Sequence, residues 1–127
     1  MKRGKIEVVG GARDLIERLE DYAVHAVGLF RYLQEQQDRA GWILGKQYLR
    51  AATSIGANFE EAQDASSRRE FIHKASIALR EARESRFWLR LFIRTDMAPR
   101  SRLEPLLQET EELYAILTVI VRKSKGN

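Results

Sequence analysis

An arginine-rich stretch between residues 68 and 102 holds most of the chemistry that this sequence offers. Guanidinium groups are forked, permanently charged and weakly hydrated, so they suit phosphates and carboxylates alike. If the stretch is helical, a rotation of about 100° per residue places its basic side chains within an arc of about 140°. This arginine row comprises Arg69, His73, Arg80, Arg83, Arg86, Arg90 and Arg94. Guanidinium groups aligned along one helix match a nucleic-acid backbone, so the candidate nucleic-acid-binding residues are Arg80, Arg83, Arg86, Arg90 and Arg94.

The same row has two other uses that the sequence leaves open. It is compatible with a solvated helix face carrying local ion pairs, such as Arg80 with Glu84 four residues later. It is also compatible with ion pairs to Glu81 or Glu84 of a neighbouring subunit. The formal net charge of +4 permits nucleic-acid binding without requiring it.

Metal and catalytic chemistry have weak support. Residues 70–73 read Glu-Phe-Ile-His, one of the Glu-x-x-His elements that di-metal four-helix bundles use. The one other histidine is His25, which has Tyr22 and not a glutamate three residues before it. The side chains of Glu70 and His73 also point away from the apolar stripe of this segment, which comprises Phe71, Ala75, Ala78, Ala82, Leu89 and Ile93. Because no glycine-rich phosphate loop, Ser-His-Asp set or cysteine is present, we expect no catalytic residue, metal or cofactor, and no enzyme.

Apolar residues at spacings of three and four predict four helices, at about residues 14–37, 44–64, 67–95 and 101–122. We expect Asp14 to cap the first helix, and a break at residues 39–41 to precede the second. Ser67 to Glu70 and Ser101 to Glu104 have the capping-box pattern that opens the third and fourth. Pro105 is tolerable early in the last helix, where amides lack intrahelical acceptors. The prediction is an all-α antiparallel up-down-up-down four-helix bundle, with residues 1–127 as a single domain.

Two features predict that the bundle assembles with copies of itself. Residues 49–62 place Ala, Ser and Gly on several faces of the second helix, which therefore tolerates close approach from more than one side. On the third helix, Ile77 and Trp88 form a second apolar strip away from the core stripe, whereas a monomeric bundle needs one stripe per helix. We predict that this strip is an oligomer interface. The alternative is that Trp88 lies at the edge of the subunit's own core.

Residues 49–62, 70–74 and 77–91 resemble the four-helix-bundle family of 23S rRNA intervening-sequence proteins. The shared pattern includes Arg-Ala-Ala, Ser-Ile and Ala-Asn in the second helix and Ala-Leu-Arg-Glu-Ala before Trp-Leu in the third. The resemblance covers about residues 14–121. It departs at Glu61-Ala62, where many members have Glu-Gly.

The resemblance implies a ring-like homo-oligomer, a pentamer, and no family catalytic residue to carry over. Family members are encoded within ribosomal RNA genes, and relatives act as accessory subunits beside reverse transcriptases in diversity-generating retroelements. Asn58 and Glu61 match the family's Asn and Glu, and we assign them polar contacts within or between subunits.

Composition sets the remaining expectations. No apolar run reaches the roughly 20 residues that span a bilayer, residues 6–11 are too short and interrupted for a signal-peptide core, and cysteine is absent. We therefore expect a soluble, cytoplasmic protein with no membrane partner. The predicted function is a non-enzymatic oligomer that binds the RNA or DNA backbone through arginine-rich helix faces, with room for a protein partner. The alternative is a protein-binding scaffold or an accessory subunit, for example of a reverse transcriptase, whose arginines form subunit ion pairs.

Overall fold

The computed structural model describes residues 11–126, with the backbone alone at residue 12. Four helices account for most of this range: α1 (Gly11–Glu35), α2 (Arg39–Gln63), α3 (Arg68–Arg94) and α4 (Arg100–Ser124). The predicted all-α up-down four-helix bundle is therefore confirmed. The ends of the predicted 1–127 domain, residues 1–10 and 127, lie outside the described residues. No helix of the described range is long and apolar enough to cross a membrane.

Each helix packs along its length against the next one in the chain, and α1 touches α4 much less closely. The core contains aromatic groups from the first three helices, namely Tyr22, Tyr48, Phe59, Phe71 and Phe92. Leucines and Ile120 complete it from α4. Most of the helices' stability comes from this packing, because helix propensity alone is weak.

The first two helices begin earlier than predicted. α1 starts at Gly11, so Asp14 lies in its first turn and is not its cap. α2 starts at Arg39, because the Asp38 carboxylate accepts a hydrogen bond from the Ala40 backbone N–H at 3.1 Å. The predicted break at residues 39–41 is therefore wrong: Asp38 satisfies a first-turn amide, and these residues form the first turn of α2.

The capping signal was right for α3 and wrong for α4. Ser67 accepts a hydrogen bond from the Glu70 backbone N–H at 3.1 Å, as predicted, while the Glu70 carboxylate reaches back to Ser66. α4 instead has Pro99 as its N-cap, with no side-chain hydrogen bond. Ser101 therefore lies inside the helix, and Pro105 lies beyond its first turn.

The small residues of α2 serve contacts within the subunit. Gly56 faces Leu19 of α1, and a Cβ built on it would lie 3.3 Å from the Leu19 Cβ. A Cβ built on Gly45 would lie 3.0 Å from Leu33 Cδ1. Ala51 and Ala52 are fully buried. The expectation that α2 is approached closely from more than one side is met by its position between α1 and α3.

Candidate nucleic-acid interface

The candidate arginines lie on the solvent side of α3. Its inward face is closed by small residues and by three larger groups, Phe71, Leu89 and Phe92. Because α2 and α4 pack on either side of α3, the remaining outward arc is the part that a ligand can reach. Four of the candidates are exposed there, and Arg86 is half-buried; the exposed ones are Arg80, Arg83, Arg90 and Arg94.

Two members of the row share one carboxylate of α4, so the three groups keep a net positive charge. One carboxylate, that of Glu111, accepts hydrogen bonds from Arg86 at 3.3 Å and from Arg90 at 3.2 Å. The Arg86 side chain is 23% exposed and that of Arg90 is 56% exposed. Arg86 therefore helps to join α3 to α4, whereas Arg90 keeps much of its surface free.

A tyrosine of α4 packs against two arginines of the row. The Arg86 guanidinium carbon lies 4.4 Å from the centroid of the Tyr114 ring, and that of Arg83 lies 5.9 Å from it. Both are cation–π distances. The Arg83 guanidinium is the main cause of a lowered pKa at the Tyr114 hydroxyl, and Arg86 adds to it. Tyr114 thus holds two cations of the row in place without cancelling their charge.

The glutamates beside the row are bound to α2. Arg50 donates to Glu84 at 2.8 Å and lies 3.4 Å from Glu81. Glu84 also accepts from Trp88 Nε1 at 3.0 Å. Partial burial acts to raise the pKa of Glu84, but these two hydrogen bonds outweigh it and the pKa lies below its ordinary value. The local pair of Arg80 with Glu84, one of the alternatives that the sequence left open, does not form.

Three of the five candidate arginines are exposed and have no carboxylate partner among the described residues. Among the residues from 11 to 126, Arg80, Arg83 and Arg94 form no ion pair. A shallow open depression of about 490 Å³ lies along this surface. Its lining consists of Arg80, Glu81, Arg83, Glu84, Arg86, Phe87 and Arg90. The outer face of α3 is therefore a surface with uncompensated positive charge.

One residue of this surface was missed by the sequence reasoning. Phe87 is 57% exposed and lies between Arg83 and Arg90 on the outward arc of α3. The signal was available, since residues three and four apart are neighbours on a helix. Tyr114 was missed as well. The sequence could not have indicated it, because only the packing of α4 on α3 brings it into contact with the row.

The predicted interface residues lie along the contact between α2 and α3. Trp88 is half-buried and packs against the edge of the core, whereas Ile77 is half-buried without joining it. Asn58 donates to the Ser54 carbonyl at 2.8 Å, and Glu61 is exposed and paired with Lys74. The polar contacts seen for both residues lie within the subunit.

The two residues considered for a metal site do not belong to a cluster of metal-ligating side chains among the described residues. Glu70 and His73 are both exposed, as their position off the apolar stripe predicted. In the part of the chain that the structure describes, His, Cys, Asp and Glu side chains form no group of three or more that could hold a metal ion.

Comparisons with known proteins identify the family of this chain and support its fold. Residues 16–119 match the family described as 23S rRNA-intervening sequence protein. A crystal structure of a protein of unknown function from the S23 ribosomal protein family, from Bacteroides thetaiotaomicron, is similar to this chain with a TM-score of 0.78 and 39% sequence identity. The similarity covers 84% of this chain and 97% of that one. A search among proteins with curated descriptions found no match.

Proposed function

This chain belongs to the 23S rRNA-intervening sequence protein family, and we propose that it is a non-enzymatic oligomer that binds the RNA or DNA backbone through the outer face of α3. The observation that carries the proposal is the set of uncompensated cations, Arg80, Arg83 and Arg94. A surface of this kind attracts anions, and the guanidinium fork fits phosphate oxygens.

The length of the row supports a polymeric ligand over a single small anion. Between Arg80 and Arg94 the helix rises by about 21 Å, at about 1.5 Å per residue. One strand of B-form DNA places a phosphate about every 3.4 Å along its axis, so the row runs alongside about six nucleotides. A single free phosphate would meet only one end of it.

The competing use of the row, in ion pairs with Glu81 or Glu84 of another subunit, has less support. Both glutamates already pair with Arg50 of their own subunit, and Glu84 also accepts from Trp88. An arginine from a neighbouring subunit would have to displace these partners. Phosphates would require no such exchange.

Assembly is the second part of the proposal. The family resemblance implies a ring-like homopentamer. The half-buried Ile77, which does not join the subunit core, supports an interface along the α2–α3 edge. An oligomer would repeat the outer face of α3 around its circumference. Several weak backbone contacts would then act together on one nucleic acid.

Backbone binding is tested by replacing Arg80, Arg83 and Arg94 together with Gln. None of the three pairs with a described carboxylate, and Gln is a good helix former, so the fold should persist. We expect weaker binding of RNA and DNA, with a salt slope smaller by about 2 to 3, because each lost phosphate contact removes about 0.7 to 0.9 from it. Filter binding over a series of salt concentrations measures both effects.

The matched control replaces Arg13, Arg31 and Arg39 with Gln. These residues are exposed on α1 and α2, and the formal charge changes by the same amount. The control should retain most of the wild-type affinity. Equal losses of affinity in the two variants would mean that overall charge, and not the outer face of α3, determines binding. Absence of wild-type binding at low salt would refute the proposal. If the α3 variant loses oligomeric mass, the arginines serve subunit contacts.

A further inference from the structure

Phe87 is an exposed aromatic side chain in the middle of the arginine row. It is 57% exposed and takes no part in the core cluster. On the helix its neighbours three and four residues away include Arg83, Glu84 and Arg90. The aromatic ring is therefore surrounded by charged groups, two of which are cations that attract phosphate.

The Phe87 ring is held from one side. It lies edge to face against Trp88, with ring centroids 5.1 Å apart and an interplanar angle of 74°. Trp88 is itself fixed by its hydrogen bond to Glu84 and by packing on the core. This contact restricts the positions of the ring before any ligand arrives, and such restriction reduces the entropic cost of binding.

An exposed aromatic ring between guanidinium groups has the chemistry of a single-strand binding site. Every base has a π-face that stacks on an aromatic side chain, while flanking cations follow the backbone. In a duplex the base faces are covered by neighbouring base pairs, so an aromatic group on a protein surface meets sugar, phosphate and base edges but no base face. Phosphate contacts by themselves do not require an exposed Phe.

We propose that Phe87 stacks on an unpaired base, and that the outer face of α3 thereby prefers single-stranded over duplex nucleic acid. This inference rests on the proposed backbone binding and adds to it the class of nucleic acid that the surface selects. Arg83 and Arg90 hold the phosphates on either side of the stacked base.

The test compares the Kd values of a single-stranded oligonucleotide and of its duplex, by fluorescence anisotropy at one salt concentration. The wild type should bind the single strand more tightly. Phe87→Ala should weaken single-strand binding by about 5- to 150-fold, which corresponds to the free energy of one base–aromatic stack, and leave duplex binding unchanged. Phe87→Tyr, which keeps an aromatic ring, should retain the preference. Val119→Ala, a truncation of an exposed apolar residue on α4, is the control.

A spectroscopic signal reports the contact directly. The chain has two tryptophans, so Trp42→Phe leaves Trp88 as the only one, next to Phe87. A base stacked on Phe87 should change the Trp88 emission when the single strand binds, and the duplex should not. The change should disappear in Phe87→Ala.

The outcomes separate this inference from the proposed function. If the wild type binds neither nucleic acid, backbone binding fails and the inference fails with it. If both are bound and Phe87→Ala alters neither Kd, the inference is overturned while backbone binding stands. If Phe87→Ala loses oligomeric mass in light scattering, Phe87 is a subunit contact and the inference is overturned.

Discussion

Hydroxyl groups from α1, α2 and α4 form a hydrogen-bonded chain in the middle of the bundle. Thr110 Oγ1 donates its proton to the Leu106 carbonyl at 2.6 Å, so it must accept from Tyr22, whose oxygen lies 2.6 Å away. Tyr22 in turn accepts from Tyr48 at 3.0 Å. Burial raises the pKa of both tyrosines, which keeps the protons of the chain in place. Ser85 Oγ, also buried, lies close enough to the Tyr22 hydroxyl to act on its pKa, but it forms no hydrogen bond of normal geometry with a described residue.

The direction of these hydrogen bonds predicts which substitutions lower the free energy of unfolding most. Thr110→Val leaves the Tyr22 proton without an acceptor and should lower the free energy of unfolding by about 1 to 3 kcal/mol. Tyr48→Phe removes only a donor and should cost about 0.5 to 1.5 kcal/mol. Ser85→Ala removes a hydroxyl that forms no hydrogen bond of normal geometry and should cost less than about 0.5 kcal/mol. Urea denaturation measures all three, and a Ser85→Ala loss as large as that of Thr110→Val would contradict the assignment.

At the scale of helices, glycines set how closely α2 approaches α1. A Cβ at Gly56 would lie 3.3 Å from Leu19 Cβ, an atom that cannot move without its backbone. Gly28, in the interior of α1, has nothing within 4 Å of a built Cβ. It borders an open groove of about 880 Å³ between α1 and α4. The groove lies along the α1–α4 contact, which is the least extensive of the contacts between packed helices. There Arg18 donates two hydrogen bonds to Glu109, at 2.7 Å and 2.9 Å.

Alanine at these two glycines should have opposite effects on stability. Gly28→Ala gains helix propensity with no new contact and should raise the free energy of unfolding by about 1 kcal/mol. Gly56→Ala has the same intrinsic gain, but overpacking against Leu19 costs about 1 to 3 kcal/mol, so the net effect should be zero or destabilising. Thermal or urea unfolding compares them. Equal stabilisation by both would mean that α1 and α2 are free to separate at this point.

At the scale of the whole molecule, the α2–α3 edge combines an apolar strip with charges that are already satisfied. Ile77 and Trp88 supply the strip, and the neighbouring Glu84 is held by Arg50 and by Trp88 itself. An interface core gains from such an arrangement, because apolar groups provide the driving force and paired charges leave little unsatisfied polarity to bury. The two apolar residues nevertheless differ, since Trp88 also packs against the subunit's own core.

This difference yields a test of assembly. Ile77→Gln should reduce the oligomeric mass measured by light scattering, with little change in subunit stability, because Ile77 does not join the core cluster. Trp88→Ala should lower both the mass and the stability. Val119→Gln, an exposed apolar position on α4, serves as the control and should change neither. A wild-type protein that is a stable monomer at micromolar concentration would rule out the assembly, and Ile77→Gln at full mass would move the interface elsewhere.

Local sequence determined the helices and their number. Apolar spacing is a property of neighbouring residues, and burial of one stripe per helix leaves few alternatives to a bundle. Helix starts were less predictable, since more than one residue near each boundary can act as a cap. Ser67 caps α3 as predicted. Asp38 caps α2 ahead of its predicted start, and Pro99 is the N-cap of α4 in place of the predicted Ser101. On α3 the stripe was misplaced slightly, because Phe92 is fully buried and Ile93 only half-buried.

Only the tertiary structure decided which arginines are free. The sequence placed the row on one arc of α3, but the carboxylate that pairs with two of its members belongs to α4. Glu111 lies 25 residues from Arg86 and 21 from Arg90 along the chain. Likewise, Glu84 is taken by Arg50, 34 residues away, and is thereby withheld from Arg80. Ion pairs form between groups that are close in space. Periodicity fixes the face of a helix on which a charge lies, and the packing of neighbouring helices fixes what that charge meets.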